Sequence, residues 1–227
     1  MEVDNLGGPI RLIEVKEEIF ADNRKVAEAL RGRLRKEKIF LLNLMASPGA
    51  GKTSLIVNTI AGLRSELRLG VIEADIDSMV DAEAVVKAGV PAVQLRTGGF
   101  CHVDASMVEM GLAGLNLQDL DLVILENVGN LVCPAEFDTG AHKNVMILSV
   151  PEGDDKPLKY PLMFSICDVL IVNKLDYLEF SDFDLEKMRE RVRRLNPAIK
   201  IIPLSCRTGA GLEVWFDWLR LVSRKEA

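Results

Sequence analysis

The chain lacks an excess of positive charge, and it lacks any long hydrophobic run. Its 227 residues include 28 lysines and arginines against 34 aspartates and glutamates, which gives a formal net charge of -6. Nucleic acid attracts proteins that carry surplus lysine and arginine, so this balance argues against nucleic acid as a partner. No apolar run approaches the roughly 20 residues that a membrane span requires, and the acidic N-terminus has no signal-peptide pattern. We therefore expect a cytoplasmic protein with no membrane partner.

Cysteine and histidine are scarce, with four cysteines and two histidines. Four cysteines in a chain of this length do not suggest a disulfide framework, so we expect reduced thiols that are either inert or metal-binding. The sequence also has no internal repeat and no low-complexity tract. Its length suits a single enzyme-sized α/β domain with a full core.

From residue 39 onward, short β-rich runs alternate with helical patterns. Several runs are apolar without strict alternation, as strands buried on both faces of a sheet should be. Right-handed crossovers then predict an α/β fold with a mostly parallel central sheet, helices on both faces and ligands at the carboxyl ends of the strands. The expected strands are residues 39–45, 69–74, 90–95, 121–126, 144–150, 169–173 and 199–204. The expected helices are residues 53–66, 79–88, 104–115, 186–195 and 211–223.

The first 38 residues follow another pattern. After Gly7-Gly8-Pro9, apolar residues recur at helical spacing, which predicts an amphipathic helix. We therefore divide the chain into a helical N-terminal extension, residues 1–38, and a domain, residues 39–227, on whose core the extension packs. The apolar stripe consists of Val15, Ile19, Val26, Leu30 and Leu34.

A glycine-rich octet, Ala-Ser-Pro-Gly-Ala-Gly-Lys-Thr at residues 46–53, lies between the first strand and a helical stretch. This context is typical of a P-loop NTPase, in which backbone N–H groups surround the phosphates of a nucleoside triphosphate. Lys52 would reach the β and γ phosphates, and the Thr53 hydroxyl would bind Mg²⁺. Ala46 stands where the usual pattern has its first glycine, so a small residue is retained there. The expected phosphate-binding residues are Pro48, Gly49, Ala50, Gly51, Lys52, Thr53 and Ser54.

The sequence Asn-Lys-Leu-Asp at residues 173–176, directly after an expected strand, indicates a guanine pocket. The Asp176 carboxylate can accept hydrogen bonds from N1–H and from the amino group of guanine, whereas adenine lacks both donors. The Lys174 stem would lie against the base, and Asn173 would brace the surrounding loops. Ser205, Cys206 and Arg207 follow the next strand, where GTPases close the base pocket with backbone amides. We therefore expect GTP and GDP as ligands, with Cys206 as a pocket wall rather than a reactive thiol.

Residues 125–130, Leu-Glu-Asn-Val-Gly-Asn, follow another expected strand in the position of a γ-phosphate switch. Gly129 would donate its backbone N–H to the γ phosphate, and Glu126 would replace the aspartate common in GTPases. No glutamine follows Gly129, and Asn130 is short for the water-positioning role, so we expect slow intrinsic hydrolysis. The expected catalytic residues are Lys52, Thr53, Asp75, Glu126 and Gly129.

Three oxygen-bearing side chains, Thr53, Asp75 and Glu126, are the expected Mg²⁺ ligands. Asp75 follows the second core strand, and Asp77 and Asp81 compete for its role. Asp81 also suits the first turn of the next helix, where negative charge complements the helix dipole.

Cys101 and His102 lie just before the helix expected from residue 104, and Cys133 lies four residues beyond the switch glycine. A thiolate near a helix N-terminus has a lowered pKa, and imidazole with two thiolates suits Zn²⁺ or, in a planar arrangement, Ni²⁺. We therefore expect these three residues to bind metal. Three ligands from one chain leave the ion incompletely coordinated, so water or the same residues of a two-fold mate would complete the site. Cys167 is expected to be a buried small hydrophobe, and His142 a structural residue or a support for a ligand.

Five segments together resemble the hydrogenase nickel-incorporation GTPase family, HypB, and the resemblance covers nearly all of residues 39–220. It implies a dimerising GTPase of the signal-recognition-like (SIMIBI) class that delivers Ni²⁺ to the large subunit of nickel–iron hydrogenase. It further implies that Cys101, His102 and Cys133 form the metal site at the subunit interface, and that other hydrogenase maturation factors are partners. The five segments are residues 46–53, 98–105, 126–134, 152–156 and 173–176.

The sequence departs from the family pattern at two points. It has no histidine-rich tract for nickel storage and no N-terminal cysteine cluster, so we expect both of those functions to be absent. The related urease-maturation GTPases carry a Cys-Pro-His triplet, whereas here Cys-His and Cys-Pro are about 30 residues apart. Three alternatives stay open: a urease-type nickel GTPase, a regulatory GTP switch with inert cysteines, and a P-loop phosphotransferase or ATPase.

Overall fold

The computed structural model describes residues 15–75 and 85–226 of the chain. The strands are β1 (Phe40–Ala46), β2 (Leu69–Asp75), β3 (Ala92–Arg96), β4 (Leu122–Glu126), β5 (Lys143–Ser149), β6 (Val169–Asn173) and β7 (Lys200–Pro203). They pair in parallel throughout, in the order β3-β2-β4-β1-β5-β6-β7. The largest shift from an expected strand is the start of β3, at residue 92 instead of 90. The predicted α/β fold of a P-loop NTPase is therefore confirmed.

The helices cover the segments where the sequence pattern predicts them, except for three short ones. Those three have four to six residues and a proline in the first turn, and so short a helix carries no periodic signal. The helix expected over residues 79–88 lies mostly outside the described part of the chain. The helices are α1 (Val15–Glu37), α2 (Lys52–Leu63), α3 (Ala105–Ala113), α4 (Cys133–Glu136), α5 (Lys156–Lys159), α6 (Pro161–Ile166), α7 (Leu185–Leu195) and α8 (Leu212–Glu226).

Helices cover both faces of the sheet, as the central strand shows. Phe40, Leu42 and Leu44 of β1 are buried in one hydrophobic cluster with α2 and α8. Leu41 points to the opposite face, where it packs in a cluster with α1 and α3. Met45 packs on that side with α6 and α7. A strand buried on both faces explains why its sequence is apolar without alternation.

Helix α1 packs on α3 and on the chain near residue 140. Leu30 and Leu34 of its predicted stripe are fully buried. Arg31 donates hydrogen bonds to the Asp138 carboxylate at 2.7 Å and to the Ala141 carbonyl oxygen at 2.9 Å. Gly7-Gly8-Pro9 lie outside the described residues, and the division of the chain at residue 38 stays a prediction. Within the described ranges, no helix has the length and apolar composition needed to cross a membrane.

The parallel sheet collects the predicted motifs at its carboxyl edge. The P-loop follows β1, Asp75 ends β2, Glu126 ends β4 and Asn173 ends β6. Because β4 and β5 flank β1, the switch segment after β4 lies directly beside the P-loop. The order of the strands therefore builds one continuous site from motifs that are far apart in sequence.

Candidate functional site

The P-loop makes a tight turn before α2. Gly51 adopts the left-handed conformation with a φ of 105°, and a Cβ atom there would clash with Nδ2 of Asn173, so only glycine fits. Lys52 is the first residue of α2, and the N-terminus of a helix is a favourable place for a phosphate. Ala46 is fully buried at the end of β1. It belongs to the strand rather than to the turn, which explains why alanine serves in place of the usual glycine.

Glu126 lies at the centre of the phosphate side of the site. Its Oε1 accepts a hydrogen bond from Thr53 Oγ1 at 3.2 Å and lies 3.8 Å from Lys52 Nζ. Asp75 and Gly129 line the same cavity of about 30 Å³ as Lys52 and Glu126. Hydroxyl and carboxylate oxygens are the ligands that Mg²⁺ prefers, so the predicted set of Thr53, Asp75 and Glu126 fits that ion chemically.

Three polar residues of this cavity, Glu73, Gln94 and Asn127, were not predicted as site residues from the sequence. Glu73 of β2 lies in register with Glu126 of β4 and with Gln94 of β3, and all three line the cavity. Glu73 is buried, and a buried carboxylate in an apolar strand is costly, which is a signal that the sequence does carry. The two competing Mg²⁺ ligands, Asp77 and Asp81, lie outside the described residues.

Asn173 joins the P-loop to the loop after β7. Its Nδ2 donates to the Ala50 carbonyl oxygen at 3.0 Å, and its Oδ1 accepts from the Cys206 N–H at 3.1 Å. Lys174, with a positive φ of 61°, donates from Nζ to the Gly49 carbonyl oxygen at 2.8 Å. These three bonds hold separate loops together as one surface, the bracing role expected of Asn173.

Asp176 is held in place on the base side of the site. Its Oδ1 accepts a hydrogen bond from Ser205 Oγ at 2.5 Å, and its Oδ2 lies 3.9 Å from the Arg207 guanidinium. Burial raises the pKa of the Cys206 thiol to about 11, so this thiol stays protonated and unreactive near neutral pH. Arg207 belongs to the segment predicted to close the pocket, whereas Tyr177 was not predicted to belong to it. A cavity of about 260 Å³ is lined by Gly51, Ser54, Asn173, Lys174, Asp176, Tyr177, Cys206 and Arg207.

The segment over residues 152–156 supports the P-loop from the side of β5. Ser47 Oγ donates a hydrogen bond to Oε1 of Glu152. The other oxygen of that carboxylate accepts from the Ser149 N–H and hydroxyl, both at 2.8 Å. Lys156 Nζ lies 3.9 Å from Glu152. Glu152 therefore fixes the start of the P-loop to the end of β5.

The thiols of Cys101 and Cys133 meet, with their Sγ atoms 2.8 Å apart. His102 Nδ1 lies 3.9 Å from Cys101 Sγ, and its ring stacks on Phe137 with the ring centroids 3.7 Å apart. Among the residues that the structure describes, no group of three or more histidine, cysteine, aspartate or glutamate side chains converges to hold a metal ion. One chain therefore brings two thiols together without assembling all three expected ligands.

The pKa of Cys101 is raised, chiefly because its thiol hydrogen-bonds to Cys133, with desolvation as a second cause. The expected lowering of this pKa by a helix N-terminus is therefore wrong for Cys101. Helix α3 begins only at Ala105 and is capped by Asp104, which accepts from the Met107 N–H at 2.8 Å. Burial lowers the pKa of His102, which favours the neutral imidazole that binds metals.

The remaining candidates, Cys167 and His142, lie in structural positions. Cys167 is 2% exposed, and burial raises its pKa well above the usual range, which is the behaviour of a small core residue. His142 is buried between strands, where its Nδ1 accepts from the Leu41 N–H at 3.0 Å and its ring stacks on Phe40.

Asn130 links the switch segment to the Cys101 segment. Its Nδ2 donates to the Cys101 carbonyl oxygen at 3.2 Å, and its Oδ1 accepts from the Val132 N–H at 2.9 Å. The preceding Gly129 lies so close to the P-loop that a Cβ atom there would be 3.1 Å from Pro48 Cγ. Direct contacts therefore link the P-loop to the switch segment and the switch segment to the segment that carries Cys101.

Comparisons of sequence and of structure with known proteins point to the same family. The family model described as CobW/HypB/UreG, nucleotide-binding domain, matches residues 40–203. The hydrogenase maturation factor HypB of Azotobacter vinelandii is 46% identical over 209 residues, which cover 92% of this chain and 69% of that protein. A crystal structure of HypB from Helicobacter pylori in complex with nickel is 38% identical with a TM-score of 0.86, covering 90% of this chain and 96% of that one.

A more distant structure shares only the fold. The signal recognition particle receptor FtsY from Elizabethkingia anophelis is 17% identical with a TM-score of 0.53, covering 82% of this chain and 69% of that one. The family match includes the P-loop, both cysteines of the thiol pair and the guanine motif. The chain therefore belongs to the CobW/HypB/UreG family of nucleotide-binding proteins and, within it, to the HypB hydrogenase maturation factors.

Proposed function

We propose that the protein is a GTP-hydrolysing metallochaperone that binds Ni²⁺ or Zn²⁺ and delivers nickel during nickel–iron hydrogenase maturation. The metal would bind at Cys101, His102 and Cys133. The observation that carries the proposal is the meeting of the two thiols, 2.8 Å apart, on segments tied to the phosphate switch. A soft thiolate pair retains Ni²⁺ and Zn²⁺, and a nearby switch gives nucleotide state a route to the metal.

The guanine preference is supported by the geometry of Asp176. Ser205 fixes one carboxylate oxygen, so the carboxylate is oriented before the nucleotide binds and can accept from N1–H and the amino group of guanine. Adenine offers neither donor and would leave the carboxylate unpaired, which disfavours the ATPase and phosphotransferase alternatives.

Hydrolysis would rest on positioning and charge. Lys52 would bind the β and γ phosphates, the Gly129 N–H would hold the γ phosphate, and Thr53, Asp75 and Glu126 would hold Mg²⁺, which neutralises developing charge on the phosphates. The Asn130 amide is bonded to Cys101 and Val132, so it is not directed at an attacking water. This supports the prediction of slow intrinsic hydrolysis, in the roughly 10⁻⁴ to 10⁻² s⁻¹ range of unassisted GTPases.

The metal site would be completed by a second copy of the chain. Two thiols from one chain leave coordination positions open, and the same pair from a two-fold mate can fill them. Apolar side chains next to the cysteines support this surface as an interface, because Phe100 is 57% exposed and Val132 is 53% exposed. We propose that GTP favours this homodimer and that hydrolysis loosens it.

Release of the metal would follow from the contacts of the switch. When the γ phosphate leaves, Gly129 loses its ligand and the segment that carries Asn130 and Cys133 can move relative to Cys101. A changed distance between the two thiolates would lower their affinity for the metal ion. The hydrogenase large subunit and other hydrogenase maturation factors are the proposed recipients and partners.

The test is an anaerobic titration of Ni²⁺ and Zn²⁺ into the wild type, Cys101→Ala, Cys133→Ala and the double variant. We expect the two single variants to lose most metal binding and to keep GTP hydrolysis within a few fold, because neither thiol needs to touch the phosphates. Cys167→Ala is the matched control, since its thiol lies in the core, and it should bind metal as the wild type does. Wild-type metal stoichiometry in the double variant would instead favour a regulatory GTP switch with inert cysteines.

A further inference from the structure

One side chain of α1 is bonded to both of the segments that carry the thiol pair. Asn23 Oδ1 accepts from the Ala105 N–H at 3.0 Å, and Asn23 Nδ2 donates to the Asp138 carbonyl oxygen at 2.9 Å. Ala105 begins α3, four residues after Cys101, and Asp138 follows α4, which begins at Cys133. A single amide therefore links the two segments through contacts separate from those of Asn130.

The surroundings of Asn23 make this bridge rigid. The side chain is 9% exposed, so its two hydrogen bonds are shielded from competition with water. One helical turn earlier, the Phe20 ring lies 4.9 Å from the Phe137 ring, which in turn stacks on His102. Two turns later, Arg31 forms an ion pair with Asp138 at 2.7 Å. Three residues of one helix thus contact the ligand-bearing segments.

We propose that Asn23 is a positioning residue for metal binding, an inference that rests on the proposed metal role of Cys101, His102 and Cys133. Its amide holds the start of α3 and the end of α4 at the separation at which the two thiols meet. Metal affinity then depends on a residue that touches neither metal nor nucleotide. Groups that orient metal ligands in this way typically change affinity by about 10- to 100-fold when removed.

The alternative is that Asn23 only adds to the stability of the fold, and two substitutions separate these roles. Asn23→Ala removes both hydrogen bonds. Asn23→Asp keeps an acceptor for the Ala105 N–H but replaces the donor to Asp138 by an oxygen, so it breaks the bridge and leaves the α3 contact intact. Asp22→Ala is the matched control on the exposed side of α1, because Asp22 is 79% exposed and pairs with Lys25.

The experiment has one readout of metal binding and one of thiol geometry, both in the full-length chain. The first is the Ni²⁺ and Zn²⁺ affinity in the GDP state, with the thiolate-to-nickel absorption band recorded. The second is the rate at which the diazene oxidant diamide forms a Cys101–Cys133 disulfide. In that reaction the two thiols give up two protons and two electrons, and diamide is reduced to the hydrazine. Thermal unfolding and GDP affinity are measured beside them.

We expect both Asn23 variants to bind metal about tenfold or more weakly and to form the disulfide several-fold more slowly, with GDP affinity unchanged. Asp22→Ala should match the wild type in every readout. Wild-type affinity and oxidation rate in Asn23→Asp would overturn the inference, as would a loss of GDP affinity parallel to the loss of metal. If wild-type protein itself fails to bind metal through its cysteines, the proposed function fails, while the disulfide rate still tests the bridge.

Discussion

At the scale of single residues, we propose that the choice of nucleotide rests on Asp176. Its carboxylate is the acceptor that guanine needs, and Ser205 and Arg207 hold it from the other side. The hydrogen bonds of Asn173 and Lys174 fix the surrounding loops, and they do not distinguish one base from another. On this proposal, specificity for the base would be concentrated in one side chain, whereas affinity for the phosphates would be spread over the P-loop.

Asp176→Asn should lower GTP affinity and favour xanthosine triphosphate. The amide can still accept from Ser205, but it offers a donor where guanine presents one, and that donor instead suits the carbonyl group of xanthine. Losing hydrogen bonds to a charged acceptor costs about 1.5–3 kcal/mol, or roughly ten- to a hundredfold in affinity. Competition between the two triphosphates measures the change. Unaltered preference for GTP would remove Asp176 from the base pocket.

Metal affinity should rise with pH, because the raised pKa of Cys101 keeps its thiol protonated near neutrality. Metal binding must displace that proton, so each displaced proton gives an apparent affinity that increases up to about tenfold per pH unit below the pKa. Zn²⁺ titrations at several pH values, with proton release followed in weakly buffered solution, test this. An affinity that does not change with pH would mean that the ligands are already deprotonated.

At the scale of elements, the switch segment between β4 and α4 connects the two halves of the site. It starts at Glu126 beside Lys52, passes Pro48 at Gly129 and reaches Cys101 through Asn130. Because these contacts follow one another along the segment, we expect movement at the γ phosphate to shift the thiols or to break one of the contacts. The segment is therefore the element through which we expect nucleotide and metal to influence each other.

Asn130→Ala should weaken this coupling while GTP and metal still bind separately. The substitution removes the bond to the Cys101 carbonyl oxygen, so the difference in metal affinity between the GDP and GTP-analogue states should shrink toward none. Asn116→Ala is a suitable control, because Asn116 is exposed and lies at the amino ends of the strands. Full coupling in Asn130→Ala would mean that the signal follows another route.

The features that the sequence predicts best are those that depend on local pattern and on strand order. Buried parallel strands leave apolar runs, and motifs after such strands must meet at the carboxyl edge, so the P-loop, Glu126 and Asp176 were placed correctly relative to one another. Contacts between distant segments leave no such trace. Asn23 meets Asp138 across 115 residues, and His102 stacks on Phe137; the helical period predicts that α1 packs on the core but not these individual contacts.

At the scale of the whole molecule, the parallel sheet and α1 place the P-loop, the Asp176 loop and the two thiols on one connected surface. The exposed side chains of Phe100 and Val132 next to the thiols give that surface the character of an interface. The single chain does not complete a metal site within the described residues, and we propose that a second copy supplies the missing ligands. Nucleotide binding, metal binding and dimerisation would then be thermodynamically coupled, so that a change in one changes the other two.

The most direct test of this account measures metal affinity and protomer mass in the GDP state and with a non-hydrolysable GTP analogue. We predict a dimer with the analogue and a metal affinity that differs between the two states. Because coupling between sites is reciprocal, metal should change the affinity for the analogue relative to GDP by the same factor, typically about 5- to 150-fold. Indistinguishable metal affinity and mass in the two nucleotide states would contradict the account, since the protein would then carry metal without gating it.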